Sequence, residues 1–241
     1  MPKNIFFISD IHLGLEDRER EKLKERSLVG FLNFAKENAC ELYILGDLYD
    51  YWFEYKRVMQ KNSFRILTAI QDVCESGVKV HYLIGNHDFM HRSIFETELG
   101  VELHEDILKV EIYGKKFFLG HGDGLVKNDI GYKILKKILR NKFFQWLFSL
   151  IHPDIGIKIA SHTSKTSREY TSGKHYGEID GLFETARNKI DDGYDFVLFG
   201  HSHQRAFEKY KNGFYINLGS WIDKPCYGSF NGNNFEIIEW N

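Results

Sequence analysis

Only three cysteines occur in the 241 residues, Cys40, Cys74 and Cys226, widely separated and at no metal-type spacing, which argues against a disulfide framework. Prolines are equally few at three, and no low-complexity stretch interrupts the chain, so the disordered and fibrous classes are excluded. Long apolar runs are missing too. Ile5 to Ile8 is too short for the apolar region of a secretory leader. Phe143 to Ile151, interrupted by Gln145 and Ser149, is less than half of the roughly 20 residues that span a bilayer. A reducing cytoplasm is therefore the expected location. Nor does charge of one sign prevail: the net charge of −2 argues against a nucleic-acid binder whose whole surface is basic.

What is present is a globular composition, 43% hydrophobic and 27% charged, in a chain long enough for one large core with an inserted subdomain. The balanced charge hides an asymmetry. Residues 127–168 carry nine cations (Lys127, Lys133, Lys136, Lys137, Arg140, Lys142, Lys158, Lys165, Arg168) against Asp129 and Asp154. That segment is about +7 and the remainder about −9, so an anionic partner is expected there.

Ile5 to Ile8 reads as a buried strand, Asp17 to Asn38 as a helix, Leu42 to Leu45 as a strand, Met59 to Glu75 as a helix and Val78 to Ile84 as a strand. Alternating strands and helices imply a largely parallel sheet. Beyond residue 100, Ile107 to Ile112 and Lys116 to Leu119 flank Tyr113-Gly114-Lys115 and predict a hairpin. Asn128 to Glu169 reads as helices broken at Pro153, an inserted cap. A helix near Ile179 to Ile190 and strands at Phe196 to Phe199, Ala206 to Tyr210, Phe214 to Leu218 and Phe235 to Trp240 close the chain.

Five polar clusters each follow an apolar strand: Asp10-Ile11-His12, Gly46-Asp47-Leu48-Tyr49-Asp50, Gly85-Asn86-His87-Asp88, Gly120-His121-Gly122-Asp123 and Gly200-His201-Ser202-His203. In open α/β sheets ligands bind beyond the carboxyl ends of strands, so these loops can converge on one crevice. Carboxylate, imidazole and one amide oxygen, without thiolate, suit Mn²⁺, Fe²⁺, Zn²⁺ or Co²⁺. The donors outnumber what one ion needs, which points to two ions about 3.5 to 4 Å apart sharing a carboxylate, and hence to a bimetal hydrolase.

The ordered set D-x-H, G-D-x-x-D, G-N-H-D, G-H and G-H-x-H resembles the signature of the calcineurin-like metallophosphoesterase superfamily. The resemblance implies an α/β fold, a four-layer α-β-β-α sandwich with an inserted helical cap. Residues 1–126 and 170–241 would form the core and 127–169 the cap over the metal cleft. It further implies that Asp10, His12, Asp47 and His203 hold one ion and that Asp47, Asn86, His121 and His201 hold the other, with Asp47 bridging. A bridging water would attack phosphorus in line while His87 stabilises the transition state or protonates the leaving oxygen. Asp50, Asp88 and Asp123 would then orient the ligand histidines from behind. Mn²⁺ is the expected pair of ions.

Within the superfamily the chain is most similar to the UDP-2,3-diacylglucosamine hydrolases of lipid A biosynthesis. The likeness rests on Gly46-Asp47-Leu48-Tyr49-Asp50-Tyr51-Trp52, on Phe89 after Gly85-Asn86-His87-Asp88, on His121-Gly122-Asp123-Gly124-Leu125 and on the insertion that follows. It implies cleavage of a lipid-linked nucleotide to UMP and 2,3-diacylglucosamine 1-phosphate. One position departs: those hydrolases carry arginine where this chain has His87. Leu135, Ile138, Leu139, Phe143, Trp146, Leu147 and Leu150 offer an apolar surface bordered by lysines, suited to an anionic leaflet or equally to the cap's own core. Lys165, Ser167, Arg168, Thr171 and Lys174, with Asn86 and His87, are the candidates for substrate phosphate. The enzyme is expected peripheral to the inner face of the cytoplasmic membrane, with no nucleic acid and no obligatory protein partner. A metallophosphodiesterase or nucleotide pyrophosphatase acting on another substrate is the alternative reading, and a metal-dependent scaffold the remote one. His81, His91, His104 and His152 read as structural residues, and His162 and His175 are left undecided.

Overall fold

Four of the five residues of Asn4–Ile8 (β1) are apolar and buried, the pattern of a strand covered on both faces. The computed structural model describes residues 4–125, 130–160, 181–222 and 224–241. After β1 come α1 (Arg18–Asn38), β2 (Ala39–Ile44), a 3-10 turn at Lys61–Ser63, α2 (Phe64–Glu75), β3 (Lys79–Leu83), α3 (Ile94–Thr97) and β4 (Glu102–His104). The Asp17 carboxylate caps α1 by accepting from the Glu19 and Arg20 amides, and Leu28, Phe31, Leu32 and Ala35 form its buried stripe.

The second half adds β5 (Leu108–Ile112), β6 (Lys115–Leu119), α4 (Ile130–Leu139), α5 (Lys142–Ser149), α6 (Phe183–Asp191), β7 (Phe196–Phe199), β8 (Ala206–Tyr210), β9 (Gly213–Asn217), β10 (Cys226–Phe230) and β11 (Phe235–Glu239). The expected hairpin is present, with a tighter loop than its sequence suggests. Tyr113 and Gly114 both take positive φ (50° and 75°), the two-residue turn whose twist matches the flanking strands. The expected helical stretch is interrupted at 140–141 and 150–152, and Pro153 opens a further helical run over 153–160, where its missing N–H costs nothing. No helix among the described residues is long and apolar enough to cross a membrane.

Two sheets result. One is six-stranded in the order β11-β10-β1-β2-β3-β4, parallel from β1 to β4. The other is five-stranded in the order β5-β6-β7-β9-β8, with β6, β7 and β9 parallel. Alternation along β1 divides the core: Ile5 and Phe7 face Phe117, Leu119, Leu198 and Ile216 of the second sheet, whereas Phe6 and Ile8 pack with Leu28, Phe31 and Ile70 of α1 and α2. Leu182, Ala186 and Ile190, at and within α6, cover Phe118, Val197 and Tyr215 on the far side. The layers therefore run α, β, β, α, as expected.

Candidate metal centre

Because β1, β2 and β3 are parallel neighbours in one sheet, and β6 and β7 in the other, the five polar clusters leave their strands at carboxyl ends. The loops cross-link at once. The Asp10 and His12 amides donate to the carbonyls of Gly46 and Asp47 at 3.2 and 3.0 Å, and the Gly200 amide donates to the His121 carbonyl at 2.8 Å. Among the described residues, seven non-glycine positions have positive φ, and five of them are Asp10, His12, Asp47, His201 and His203. Each such residue stores on the order of 1–3 kcal/mol, so the strain is concentrated where the chain aims its donor atoms. Two glycines make the aim possible: a side chain at Gly85 would overlap the Asp47 carboxylate, and one at Gly200 the Asp10 carboxylate.

His12 Nε2 lies 3.0 Å from His203 Nε2, which in turn is 3.3 Å from Asp10 Oδ1. On the other side, His121 Nε2 is 3.1 Å from Asp47 Oδ2 and 2.8 Å from Asn86 Oδ1, and His201 Nδ1 is also 2.8 Å from Asn86 Oδ1. Asp47 Oδ2 stands 3.8 Å from His12 Nε2, so this carboxylate touches both groups. All seven expected ligands are thus gathered at one place, where Asp10 and Asp47 also lie close to His121.

Their chemistry fits divalent cations. His121 Nδ1 is 2.8 Å from the Leu45 carbonyl, which can only accept, so Nε2 of the neutral ring carries a lone pair. That lone pair faces two further acceptors, Asp47 Oδ2 and Asn86 Oδ1, an arrangement that only a cation or an extra proton makes stable. Asp10 and Asp47 are buried, and imidazoles are their ionic partners among the described residues. Burial opposes the charge on Asp47, but His121 and His87 outweigh it and hold the carboxyl well below the usual range. Burial likewise opposes the charge on His121, and Asp47 overcomes it, raising the imidazole to about 10. Burial pushes His201 down to about 4, leaving it neutral and able to ligate.

The family model of calcineurin-like phosphoesterases matches residues 3–205, which include every one of these donors. The chain belongs to that family. This phosphoesterase is similar over nearly its whole length to curated relatives named UDP-2,3-diacylglucosamine hydrolase. The protein from Porphyromonas gingivalis (strain W83) is 29% identical, covering 98% of this chain and 97% of that one. The one from Haemophilus influenzae (strain PittGG) is 30% identical with 91% of each covered. A solved archaeal phosphodiesterase shares the fold, with a TM-score of 0.50 at 16% identity over 98% of this chain and 99% of that one.

Not every expected role in the phosphoesterase matches the geometry. Asp50 does sit behind a ligand: its Oδ1 is 3.4 Å from His12 Nδ1. Asp88 does not orient a histidine. It accepts from the amides of Leu48 at 2.8 Å and Gly85 at 2.9 Å and from the Tyr82 hydroxyl, and so ties two loops together. Asp123 is also reassigned, since its Oδ2 accepts from Tyr132 Oη at 2.9 Å and pairs with Lys136 Nζ at 2.8 Å, anchoring α4. Lys165, Ser167, Arg168, Thr171 and Lys174 lie outside the described residues.

Sequence reasoning missed a sixth loop, after β9. Buried Asn217 donates through Nδ2 to the Gly200 carbonyl at 2.8 Å and to Ser202 Oγ at 2.9 Å, and the Trp221 amide donates to the Asp10 carbonyl at 3.1 Å. The signal was available, because Asn217 closes an apolar strand as the other clusters do. A buried lysine was missed as well: Lys24 Nζ of α1 donates to the His12 carbonyl at 2.7 Å.

Proposed function

We propose that this phosphoesterase hydrolyses the pyrophosphate of UDP-2,3-diacylglucosamine to UMP and 2,3-diacylglucosamine 1-phosphate, working from the cytoplasm at an anionic membrane surface. The observation that carries the reading is the end-to-end similarity to relatives of that name. The segment over 130–160 supports it. Several of its apolar side chains are exposed, Phe143, Trp146 and Leu150 at 61, 53 and 63%, and Lys133, Lys136, Lys137 and Lys142 accompany them. An apolar face flanked by cations suits an acyl chain and an anionic interface.

Asp10, His12, Asp47 and His203 would hold one ion and Asp47, Asn86, His121 and His201 the other, with Mn²⁺ as the assigned metal. When bound, the pair supplies an activated water and neutralises the phosphoryl oxygens. The protein groups do the rest. His87 is fixed by its amide, which donates to Asp47 Oδ1 at 2.9 Å, and by Nδ1, 3.1 Å from the Asp50 carbonyl. Proton exchange with the leaving oxygen then falls to Nε2. Gly85 and Asp88 keep the Asn86-His87 turn against Asp47, so that Asn86 Oδ1 stays with His121 and His201 while the His87 imidazole would meet the substrate. Lys165, Ser167, Arg168, Thr171 and Lys174 would bind the substrate's phosphates, and the region 127–169 would act as the cap over the cleft.

The test is product analysis by mass spectrometry after metal-stripped protein is reloaded with Mn²⁺ and given the substrate in detergent micelles. UMP plus the lipid phosphate is the expected result. An intact lipid beside Mn²⁺-dependent cleavage of a simple phosphodiester would move the assignment to another diester, with His87, where those hydrolases carry arginine, as the position to revisit.

A further inference from the structure

The geometry points to a second, separate divalent-cation site, of the zinc type, built by His81, Glu102 and His104 on the outer strands of the six-stranded sheet. Register places it there: Tyr43 of β2 pairs with His81 of β3, which pairs with Glu102 of β4, while Leu83 pairs with His104. Alternation then puts Tyr43, His81, Glu102 and His104 on one face of the sheet. None of the three donors belongs to the catalytic cluster.

His81 Nδ1 lies 3.2 Å from His104 Nε2 and 3.1 Å from Glu102 Oε2. Zinc bound tetrahedrally at its usual distance separates neighbouring ligand atoms by about 3.3 Å, so two edges of such a polyhedron are already present. Ligation needs the ring's proton on Nε2, and Glu41 Oε2 stands 3.6 Å from that atom to meet it. Nδ1 then faces the Glu102 carboxylate and the second imidazole. Behind it stands the support a ligating histidine usually has: Glu41 also accepts from Tyr43 Oη at 2.6 Å, and the Tyr43 ring stacks on His81 at 4.5 Å and 12°. Two imidazoles and one carboxylate suit zinc, and the exposed Glu102 leaves a path for a water as fourth ligand.

An ion here would clip the three-residue strand β4 to β3. The residues that follow β4 hold α4, because Arg140 donates to the Glu105 carbonyl and to Asp106 Oδ1. The clip would therefore stiffen the strand from which the 130–160 segment hangs. The competing arrangement is a single proton shared by His81 and His104.

Full-length protein, stripped of metal, is dialysed against Zn²⁺ beside His104→Gln, and metal content is measured by mass spectrometry. The wild type is expected to retain one more zinc per chain than H104Q while Mn²⁺-dependent phosphodiester turnover stays equal. Loaded with Co²⁺, it should show a four-coordinate ligand-field band that the variant lacks. Equal zinc content and superimposable cobalt spectra would overturn the proposal and leave the shared proton. Should H104Q not fold, Glu102→Gln on the exposed side serves instead, with zinc affinity expected to fall about tenfold or more. Unchanged affinity there overturns the site equally.

Discussion

The strand-end loops and the helical segment at 130–160 bury opposite things. Around Asp10, Asp47 and His121 the chain places charge and polar nitrogen out of water, on left-handed backbone that costs free energy at five positions. Along α4 and α5 it leaves Ile134, Phe143, Trp146 and Leu150 in water, where burial would have stabilised them. Neither choice serves folding. The proposed function completes each from outside the chain, with cations at the first region and an apolar phase at the second. Function in this protein is legible as unfavourable solvation.

The contrast is broken most severely by removing the shared carboxylate. Asp47→Ala should reduce phosphodiester turnover by about 10³-fold or more, roughly 4 kcal/mol of transition-state stabilisation, while thermal melting shows a folded protein. Ordinary turnover in this variant would separate the buried polar cluster from catalysis.

A subtler break uses His91, which is buried among Trp52, Tyr82 and Phe95 and which burial pushes down to about 3. Its folded value lies below the unfolded one, so the unfolded chain binds the proton first. Stability from this residue is complete above about pH 6.5 and is lost as pH falls toward 3, by about 1.4 kcal/mol per unit. Urea midpoints should fall with decreasing pH less steeply in His91→Phe than in the wild type, because His201 and the buried carboxylates keep their own share of the slope. An unchanged slope in the variant would remove His91 from the acid sensitivity.

The smallest effect is expected on the exposed face. Trp146→Asp should leave stability within about 0.5 kcal/mol, since the ring is already in water. Flotation with anionic vesicles should nonetheless weaken about tenfold, and turnover of lipid substrate should fall with it, whereas a soluble chromogenic diester is cleaved as before. Equal loss on both substrates would mean that the face packs within the protein.

The convergence of the five polar clusters could be read from sequence because each terminates an apolar strand, and parallel strands bring such ends together whatever their order. The four layers came with the resemblance to the calcineurin-like family, since strand periodicity alone predicts only a largely parallel sheet. β10 was invisible: Cys226-Tyr227-Gly228-Ser229-Phe230 lacks the apolar run of its neighbours, and Gly228 is there to admit the Phe235 ring. β4 has three residues and one apolar side chain, so pairing with β3 makes it a strand rather than its own propensity. Asp88 and Asp123 were placed correctly near the centre but given the wrong partners, since spacing says where a carboxylate leaves the backbone and not which donor meets it. Helical periodicity had the same limit for α4 and α5: a stripe reports a face, and only three dimensions report what covers it.

The donors come from both sheets, with Asp10, His12, Asp47 and Asn86 leaving β1, β2 and β3, and His121, His201 and His203 leaving β6 and β7. A ligand set drawn this way acts as a rivet through the sandwich. Whatever holds cations in the cleft also holds the two halves of the core in register, so mechanical integrity becomes a function of metal supply. At a hundredfold excess over its dissociation constant a bound ion adds about 2.7 kcal/mol to the folded state, and a chelator withdraws it. In a cell starved of metal, the phosphoesterase would lose rigidity along with turnover, exposing idle copies to proteolysis.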